Sequence, residues 1–339
     1  MNKIKLDHME KYLLDLFVKT GLNIENARIA VDVYMRATLR GVGHHDIYDI
    51  SSRIESLKSG KVVPNPVFTP IASYGALETW DAGNGLGEVV CTYAMDRAMA
   101  LANLYGIGFC SLRNTNHFLA SAPYVERAAE KGYIAVILCK AIATMGGPGV
   151  KKVCMSQLPM GFAYPTDEGY PVMLDICMAY ASSGLLRHKA KHGELVPSWW
   201  GYNASGEPTE DPAELADGIR MPIGGHKGFG LAMFGEILTG VIGMGGILNN
   251  VPEGSSNNVN AHTAIAIKPD TLMDADTFKS RAGQLSRNAK AIAPELRIPG
   301  ENSHRSKETL TSNGYIELDD ALVNILNSYA DEYNINRIV

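Results

Sequence analysis

Four histidines in predicted loops are the side chains best suited to chemistry: the pair His44 and His45, then His117 and His226. Each lies beside glycine or asparagine, or at the edge of a glycine-rich stretch. Histidine is the side chain whose unperturbed pKa permits proton transfer near neutral pH, so all four are candidate general acids or bases. A lone histidine is more often structural and bonded to the backbone, and each candidate keeps this alternative.

A glycine-rich segment, Met221–Gly230 (MPIGGHKGFG), is the second candidate site. Apolar residues with helical spacing follow it from Leu231 to Ile242, which predicts a mostly buried helix that begins at or just after the loop. The first N–H groups of a helix attract anions, and Lys227 adds a full charge there. The loop matches neither the dinucleotide fingerprint nor the P-loop, so its glycines could equally serve a tight turn and close helix packing.

Two groups of acidic residues have both a chemical and a structural interpretation. His44, His45 and Asp46, with Asp49, could bind a metal ion, but adjacent histidines diverge and no H-x-x-x-H spacing supports them. Asp175 ends the apolar run PVMLD before a predicted helix, where an acid can cap the helix or reach a ribose hydroxyl. The residues alone leave these alternatives open.

Composition and charge exclude several classes of protein. The chain has 339 residues, is 46% hydrophobic, and carries a net charge of −5, so neither nucleic acid nor an anionic membrane is an expected partner. Its five widely spaced cysteines form no C-x-x-C pair and indicate reduced core residues. We expect a cytoplasmic protein, because the N-terminus lacks a signal peptide's apolar core and no apolar run could span a bilayer. The single basic run, Arg187–His192, indicates a solvated helix face or a group that neutralises a cofactor phosphate.

The elements that must position these residues follow from periodicity. The pattern predicts helices from residue 6 to 57, alternating strands and helices from 76 to 139, strands at Met160–Tyr164 and Val172–Ile176, and a helix at Tyr180–Lys191. It then predicts a polar loop at 249–263, a short strand at Ala264–Ile267, and a largely helical end from 274 to 339. This order indicates an α/β centre, with the two helical ends packed together.

Several motifs together resemble the type-2 malate/L-lactate dehydrogenase family. In the family's order and approximate spacing, the chain carries RGVGHHDIYD, LETWDAGNGLG, GIGFCSLRNTNHF, AAEKGYIAV, PVMLDICMA, MPIGGHKGFGLAM and RIPGE. Within the family, the 2,3-diketo-L-gulonate reductases look most similar. The resemblance implies an α/β, non-Rossmann, sulfolactate dehydrogenase-like fold. It also implies a mixed-sheet cofactor domain at 76–269, a helical domain from 1–75 and 270–339, and a homodimer with the active site close to the subunit contact.

The resemblance also implies an NAD(P)-dependent dehydrogenase or reductase, with NADH favoured over NADPH. Its substrate would be a small 2-keto or 2-hydroxy acid or a sugar-derived polyhydroxy compound. By position, the family's catalytic histidine falls on His45, and a second histidine used by some members falls on His117. The cofactor positions fall on Pro171, Val172, Met173, Leu174, Asp175, Ile176 and Cys177, on His226 and Lys227, and on Gly300, Glu301 and Asn302. We expect His45 to give a proton to the substrate oxygen in reduction and to take it in oxidation.

Two departures from the family pattern alter the expected substrate pocket. Relatives have S-H-G where this chain has His44, His45 and Asp46, and the arginine four residues beyond the catalytic histidine is here Asp49. An arginine–carboxylate hydrogen bond contributes roughly 1.5–3 kcal/mol, whereas an acid repels a carboxylate. With His44, Asp46 and Asp49 as substrate contacts, we expect a substrate that carries hydroxyls or an amine near that end. The family's T-N-P is likewise replaced by Gln157, Leu158 and Pro159.

Two functions of other classes remain as alternatives. One is a metal-dependent lyase or hydrolase that uses His44, His45 and Asp46. The other is a non-catalytic nucleotide-binding relative that senses a metabolite. Metal analysis identifies the first, and cofactor binding without any turnover identifies the second.

Overall fold

The structure, a computed structural model, describes residues 1–41, 43–250 and 259–339. The helices of these residues are α1 (Leu6–Lys19), α2 (Ile24–Leu39), α3 (Ile50–Lys58), α4 (Gly87–Tyr105), α5 (Ala122–Glu130), α6 (Ser183–Lys191), α7 (Pro212–Asp217), α8 (His226–Glu236), α9 (Ala275–Ile292), α10 (Glu301–Asn313) and α11 (Asp320–Tyr333). The strands are β1 (Asn2–Lys5), β2 (Thr69–Tyr74), β3 (Leu77–Gly85), β4 (Ile107–Thr115), β5 (Ile134–Lys140), β6 (Ala143–Gly147), β7 (Val150–Ser156), β8 (Met160–Tyr164), β9 (Val172–Ile176), β10 (Gly201–Tyr202), β11 (Ile219–Arg220), β12 (Ala261–Ile267) and β13 (Tyr315–Leu318).

A seven-stranded mixed sheet forms the centre of the fold, in the order β2-β3-β4-β12-β5-β8-β9. Strands β3 and β4 run parallel, and the other neighbours are antiparallel. Helix α4 packs directly on β4. The backbones are so close at Gly108 that a Cβ there would lie 2.0 Å from the Ala98 carbonyl oxygen. The expected α/β class is confirmed, and the mostly antiparallel sheet differs from the mostly parallel sheet of a Rossmann fold.

Most elements of the central region occur where the sequence predicts them. Strands β8 and β9 have the predicted bounds, and β3, α4, β4, α5 and β5 alternate as predicted between residues 77 and 140. The predictions missed a second sheet of four strands, in the order β10-β11-β6-β7. Its strands are short or irregular, with register shifts between β6 and β7, so they carry little periodic signal. Of the predicted polar loop at 249–263, residues 251–258 lie outside the described residues, and its last three residues belong to β12.

The two ends of the chain meet through a two-stranded sheet. Strand β1 pairs antiparallel with β13, from Asn2 opposite Leu318 to Lys5 opposite Tyr315. Helix α1 packs against α2 and α11 around the buried residues Leu13 and Phe17. Strand β2 precedes the predicted boundary at residue 75 but pairs with β3 of the large sheet. The division into a helical and a cofactor domain stays a prediction.

A buried ion-pair cluster joins the N-terminal helices to the sheet layer. Glu126 of α5 is 1% exposed and binds the guanidinium of Arg40, the residue that follows α2, and, at 2.6 Å, the Nζ of Lys307 from α10. Burial alone would raise the pKa of Glu126, but these two cations lower it to about 2. The carboxylate therefore remains charged and holds three helices against each other.

The helix after the glycine loop is not mostly buried, contrary to the prediction. Helix α8 begins at His226, inside the segment predicted as a loop rather than at its end, and continues as a π-helical turn at Ile237–Val241. Six large apolar side chains of this stretch are exposed in the single chain, namely Leu231, Met233, Phe234, Ile237, Val241 and Ile242. The apolar spacing identified a helix correctly, but it cannot say what covers the apolar face.

The glycines before α8 and in its first turns permit a tight turn and close packing. Gly224 and Gly225 have φ values of +60° and +62°, which favour glycine. At Gly228 a Cβ would lie 2.6 Å from the Ile223 carbonyl oxygen and 2.9 Å from that of Met178. At Gly230, two residues further along α8, a Cβ would have nothing within 4 Å. These two helical glycines therefore differ in what a methyl group would meet.

We expect Gly228→Ala to lower the melting temperature, because the added methyl group must displace backbone, at a cost of about 1–3 kcal/mol. Gly230→Ala is the matched control, and it should be neutral or stabilising by up to about 1 kcal/mol, since alanine favours a helix. Thermal unfolding followed by circular dichroism, at one protein concentration, measures both. Equal shifts for the two variants would contradict the packing role of Gly228.

Candidate active site

One cleft of about 680 Å³ brings together residues from distant parts of the chain. Its lining includes the turn before α3, the loop after β4, the end of β9 and part of α6, together with residues from the end of β5, from β6, from the turn before β8, and Ile223. His44, His45 and Asp49 come from the first of these, His117 from the second, and Asp175, Ile176 and Cys177 from the third. Its volume lies in the range of small-molecule and cofactor sites.

The two predicted catalytic histidines meet on one wall of this cleft. The ring centroids of His45 and His117 are 5.3 Å apart, and those of His44 and His45 are 4.8 Å apart. Helix α6 packs closely on the pair: a Cβ at Gly184 would lie 2.9 Å from His44 Cδ2 and 3.1 Å from His45 Cε1. A glycine at this position therefore lets α6 pack directly against the two histidines and contribute to the cleft lining, which sequence reasoning missed.

The tautomer of His117 is fixed by two donors. Its Nδ1 accepts a hydrogen bond from the Leu119 amide at 3.2 Å and from Arg53 Nη2 at 3.3 Å. Burial at the floor of the cleft, together with the positive charge of Arg53, lowers the pKa of His117 well below its usual value. The neutral ring then carries its proton on Nε2. Because the ring also has surface open to the cleft, this N–H is available to a ligand there.

Arg53 is itself held by a buried carboxylate. Its guanidinium Nε donates to Glu88 Oε1 at 2.8 Å, and the side chains of Arg53 and Glu88 are 4% and 0% exposed. Glu88 lies in the first turn of α4, whereas Arg53 lies in α3. This pair therefore connects the helix after His45 to the layer that carries His117, and no motif or spacing in the chain predicted it.

His45 has a different environment from His117. Its Nδ1 is buried and has no hydrogen-bond partner within residues 1–41, 43–250 and 259–339. Burial, the neighbouring His44, and the charges of Arg187 and Arg53 lower the pKa of His45 to about 3. The ring is therefore neutral at pH 7 and is ready to accept a proton. To donate one it needs a ligand whose negative charge favours the protonated form.

The two acidic residues beside the histidines have separate roles. Asp46 is 3% exposed, and its carboxylate accepts hydrogen bonds from the amides of Gly43 at 2.7 Å and Tyr48 at 3.0 Å. It caps the turn and does not line the cleft, so the expected substrate contact by Asp46 has no geometric support. Asp49 does line the cleft. Burial raises the pKa of Asp49, while Arg53 and Arg187 oppose this shift.

The three predicted cofactor segments converge on β9. At the start of the strand, the Met173 amide donates to the Pro299 carbonyl at 3.2 Å, beside Gly300. Beyond its end, the Ile223 amide donates to the Met178 carbonyl at 2.9 Å, which places the glycine loop there. Residues 171–177 thus run between the segment at 300–302 and the loop that begins α8. Sequence spacing alone did not show this continuity.

Not all of the predicted cofactor residues face the cleft. Pro171, Val172, Met173, Leu174, His226, Lys227, Gly300, Glu301 and Asn302 are not among the residues that line it. Glu301 pairs with Lys290 at 2.8 Å and accepts a hydrogen bond from the Ile298 amide. The amides of Lys227 and Gly228 donate within their own loop, to Gly224 and Ile223. The loop therefore offers an anion the exposed Lys227 side chain rather than these two amides.

Asp175 acts as a helix cap, but for a helix other than the predicted one. Its carboxylate accepts from the amides of Ser121 and Ala122, each at 2.9 Å, and from the Ser121 hydroxyl. These groups begin α5, whereas α6 is capped by the Ser182 side chain. The contact fixes the end of β9 to the segment that follows His117.

Unpaired polar atoms show that the cleft suits a polar ligand. The Thr144 Oγ1 and the Gln157 Oε1 are buried, line the cleft, and have no hydrogen-bond partner within the described part of the chain. Buried polar atoms are normally paired, so a ligand with donors would satisfy them.

The described residues contain no group of three or more His, Cys, Asp or Glu side chains placed to hold a metal ion. Nor does any helix among them have the length and apolar character needed to cross a membrane.

Comparisons with known proteins place this mixed-sheet α/β chain, with its two histidines at a cleft, among the dehydrogenases. The profile of the malate/L-lactate dehydrogenase family matches residues 4–327, and the chain belongs to that family. It is 29% identical to L-sulfolactate dehydrogenase of Methanocaldococcus jannaschii over 98% of each chain. It is 30% identical to 2,3-diketo-L-gulonate reductase of Escherichia coli, over 94% of this chain and 98% of the relative.

Solved structures agree with this assignment. The M. jannaschii sulfolactate dehydrogenase superposes with a TM-score of 0.88, at 29% identity, over 99% of this chain and 98% of its own. Malate dehydrogenase from Entamoeba histolytica superposes with a TM-score of 0.93, at 25% identity, over 99% of both chains. The expected fold and family resemblance are confirmed.

The buried His45 predicts a pH-dependent stability. The ordinary histidine pKa of 6.5 applies to the unfolded chain, and the folded value is about 3, so between these pH values the unfolded chain binds the extra proton. Acidification in this range therefore favours unfolding, and His45→Asn should lose less stability than the wild type between pH 7.5 and pH 5. Between pH 7.5 and pH 5 the melting temperature of the wild type should fall by a few degrees more than that of His45→Asn, since 1 kcal/mol corresponds to about 2–4 °C in larger domains.

The control is His188→Asn, which removes an exposed histidine of α6. If His188→Asn flattens the pH profile as much as His45→Asn does, the effect does not belong to the cleft.

Proposed function

We propose that this protein transfers hydride between a nicotinamide cofactor and the carbonyl or carbinol carbon of a small 2-keto or 2-hydroxy acid, including sugar-derived polyhydroxy acids. The observation that carries the proposal is the convergence of His45 and His117, 5.3 Å apart, on a cleft whose other side is the end of β9. The names of the relatives, sulfolactate dehydrogenase and diketogulonate reductase, support this substrate class.

The cleft and the strand beside it fit a nicotinamide cofactor, NAD or NADP with NADH favoured. When bound, the cofactor supplies or accepts the hydride. Of the expected cofactor positions, Asp175, Ile176 and Cys177 line the cleft and would contact the cofactor there, and the exposed Lys227 would pair with a phosphate. The unpaired Thr144 and Gln157 atoms would take up polar groups that enter the cleft. All five cysteines are free, in keeping with the cytoplasm as the compartment we infer.

The two histidines have different roles at the substrate oxygen. His117, whose Nδ1 is occupied by Arg53 and Leu119, directs its Nε2–H to the oxygen as a neutral hydrogen-bond donor. His45, neutral at rest, takes the hydroxyl proton during oxidation. In reduction a protonated His45 returns the proton to the oxygen as the carbonyl carbon gains hydride. The negative charge of the substrate favours the protonated imidazole that this direction needs.

We expect His45→Asn to lower kcat by about 10²- to 10⁴-fold, because it removes the group that exchanges the proton. We expect His117→Asn to lower kcat by about 10²- to 10³-fold, because it removes a hydrogen-bond donor to the substrate oxygen. The loss of reduced nicotinamide absorbance with a panel of 2-keto acids measures turnover. Calorimetry with NADH and NADPH measures cofactor binding, which should change by no more than a few fold.

His188→Asn is the matched control and should keep the wild-type kcat. Cofactor binding without turnover of any substrate in the wild type would favour the metabolite sensor. Activity that is lost with a chelator, without need for a nicotinamide, would favour the metal-dependent lyase or hydrolase.

The exposed apolar face of α8 supports a homodimer. Phe234 is 61% exposed, and Met233 and Leu231 are each 50% exposed on the same stretch. Contiguous exposed apolar surface of this kind marks an interaction site. Because Ile223 lines the cleft and α8 begins three residues later, a second copy on this face would lie close to the site.

We expect Phe234→Glu to convert the dimer to a monomer, or to weaken it by more than 10-fold, because a charge would be buried in an apolar contact. Light scattering coupled to size exclusion, over a concentration series, measures the assembly. Leu104→Glu, at a 75% exposed position on α4, is the control and should remain dimeric. A dimer that Phe234→Glu leaves intact would place the contact elsewhere.

A further inference from the structure

Arg187 is a cation in the cleft that no sequence motif assigned to the substrate. It lies in α6, the helix that Gly184 brings against the histidine pair, and it lines the cleft together with His44, His45 and Asp49. Its charge acts on both neighbours, since it contributes to the low pKa of His45 and opposes the raised pKa of Asp49. It belongs to the basic run at the end of α6.

The other cations of this run have partners that explain them. Lys189 pairs with Glu194 at 2.6 Å, and Lys191 lies 3.7 Å from Asp319. Arg187 forms no ion pair and no hydrogen bond with the residues that the structure describes. Its side chain is exposed, so the guanidinium can reorient without breaking an existing contact.

The geometry of a 2-keto acid places its carboxylate near the proton-transfer histidine, where a cation would stabilise it. The carboxylate carbon is bonded directly to the carbonyl carbon that gains hydride. A carbonyl oxygen within hydrogen-bond reach of His45 therefore places the carboxylate beside that imidazole. Lys227 lies outside the cleft lining, and Arg53 is buried against Glu88 and His117, so neither is suited to this group. Arg187 lines the same cleft as His45, on the helix that packs against the histidine pair.

We propose that Arg187 binds the carboxylate of an anionic 2-keto or 2-hydroxy acid. It would replace the arginine that relatives have at the position of Asp49. The inference rests on the proposed function, because it assigns one group of that substrate to one side chain. A guanidinium can bind a carboxylate through two parallel hydrogen bonds, which also fixes the plane of the substrate. Asp49 then faces the part of the substrate that carries hydroxyls or an amine.

The test compares Arg187→Gln, Arg187→Lys, Asp49→Asn and the control Lys189→Gln, which alters a paired cation of the same helix. Each is assayed with the best 2-keto acid of the panel and with its methyl ester, which lacks the negative charge. We expect Arg187→Gln to raise KM for the acid about 10- to 100-fold, with a much smaller change in kcat and in the ester's KM. Arg187→Lys should recover part of this loss, and Lys189→Gln should match the wild type.

Asp49→Asn should lower KM for the simple acid, because it removes a repelling charge. Equal losses for acid and ester in Arg187→Gln, or no loss for either, would overturn the assignment. Calorimetry with oxalate, a stable dicarboxylate, separates this inference from the proposed function. If the wild type oxidises no reduced nicotinamide but binds oxalate, and Arg187→Gln weakens that binding at least 10-fold, the anion site stands while the reaction fails. Unchanged oxalate binding in Arg187→Gln would show that Arg187 does not form an anion site.

Discussion

The site depends on the buried ion pair between Arg53 and Glu88. Arg53 comes from the helix that follows His45, and Glu88 comes from the helix that packs on the central sheet. The same guanidinium donates to His117, so one side chain fixes both the distance between two layers and the tautomer of a ring. Removing one partner of a buried pair costs about 3–5 kcal/mol, because the other charge is left without compensation. The position of His117 therefore depends directly on this contact.

Burial then gives the two rings their chemical character. Both pKa values lie below the ordinary histidine value, so the resting cleft holds neutral imidazoles beside two acidic residues, Asp49 and Asp175, and the cation Arg187. A neutral ring with a fixed N–H can polarise a carbonyl, and a neutral ring with an unpaired nitrogen can accept a proton. The unpaired atoms of Thr144 and Gln157 are further polar groups of the cleft, and they suit a polar ligand that enters between the histidines and β9. A polar substrate and cofactor would complete these contacts.

Where sequence and structure differ, a side chain had a nearer partner than the expected ligand. Asp46 was expected at the substrate, but two backbone amides of its own turn hold it. Asp175 was expected at the next helix or at a ribose, and it caps α5 from a neighbouring strand. The glycine loop was expected to offer amides to an anion, yet two of those amides bond within the loop. In each case the sequence showed a residue able to make a polar contact and could not show which contact is closest.

Local patterns in the chain were enough to predict the elements and the family. Apolar periodicity is local, so it predicted β8 and β9 to the residue and placed the helix after the glycine loop, and the motif order indicated the dehydrogenase family. The packed fold was needed to show that this helix keeps an exposed apolar face, that Gly184 lets α6 approach the histidines, and that Arg187 shares a cleft with Asp49. These facts depend on how distant segments pack, and packing between layers leaves no period or spacing in the chain.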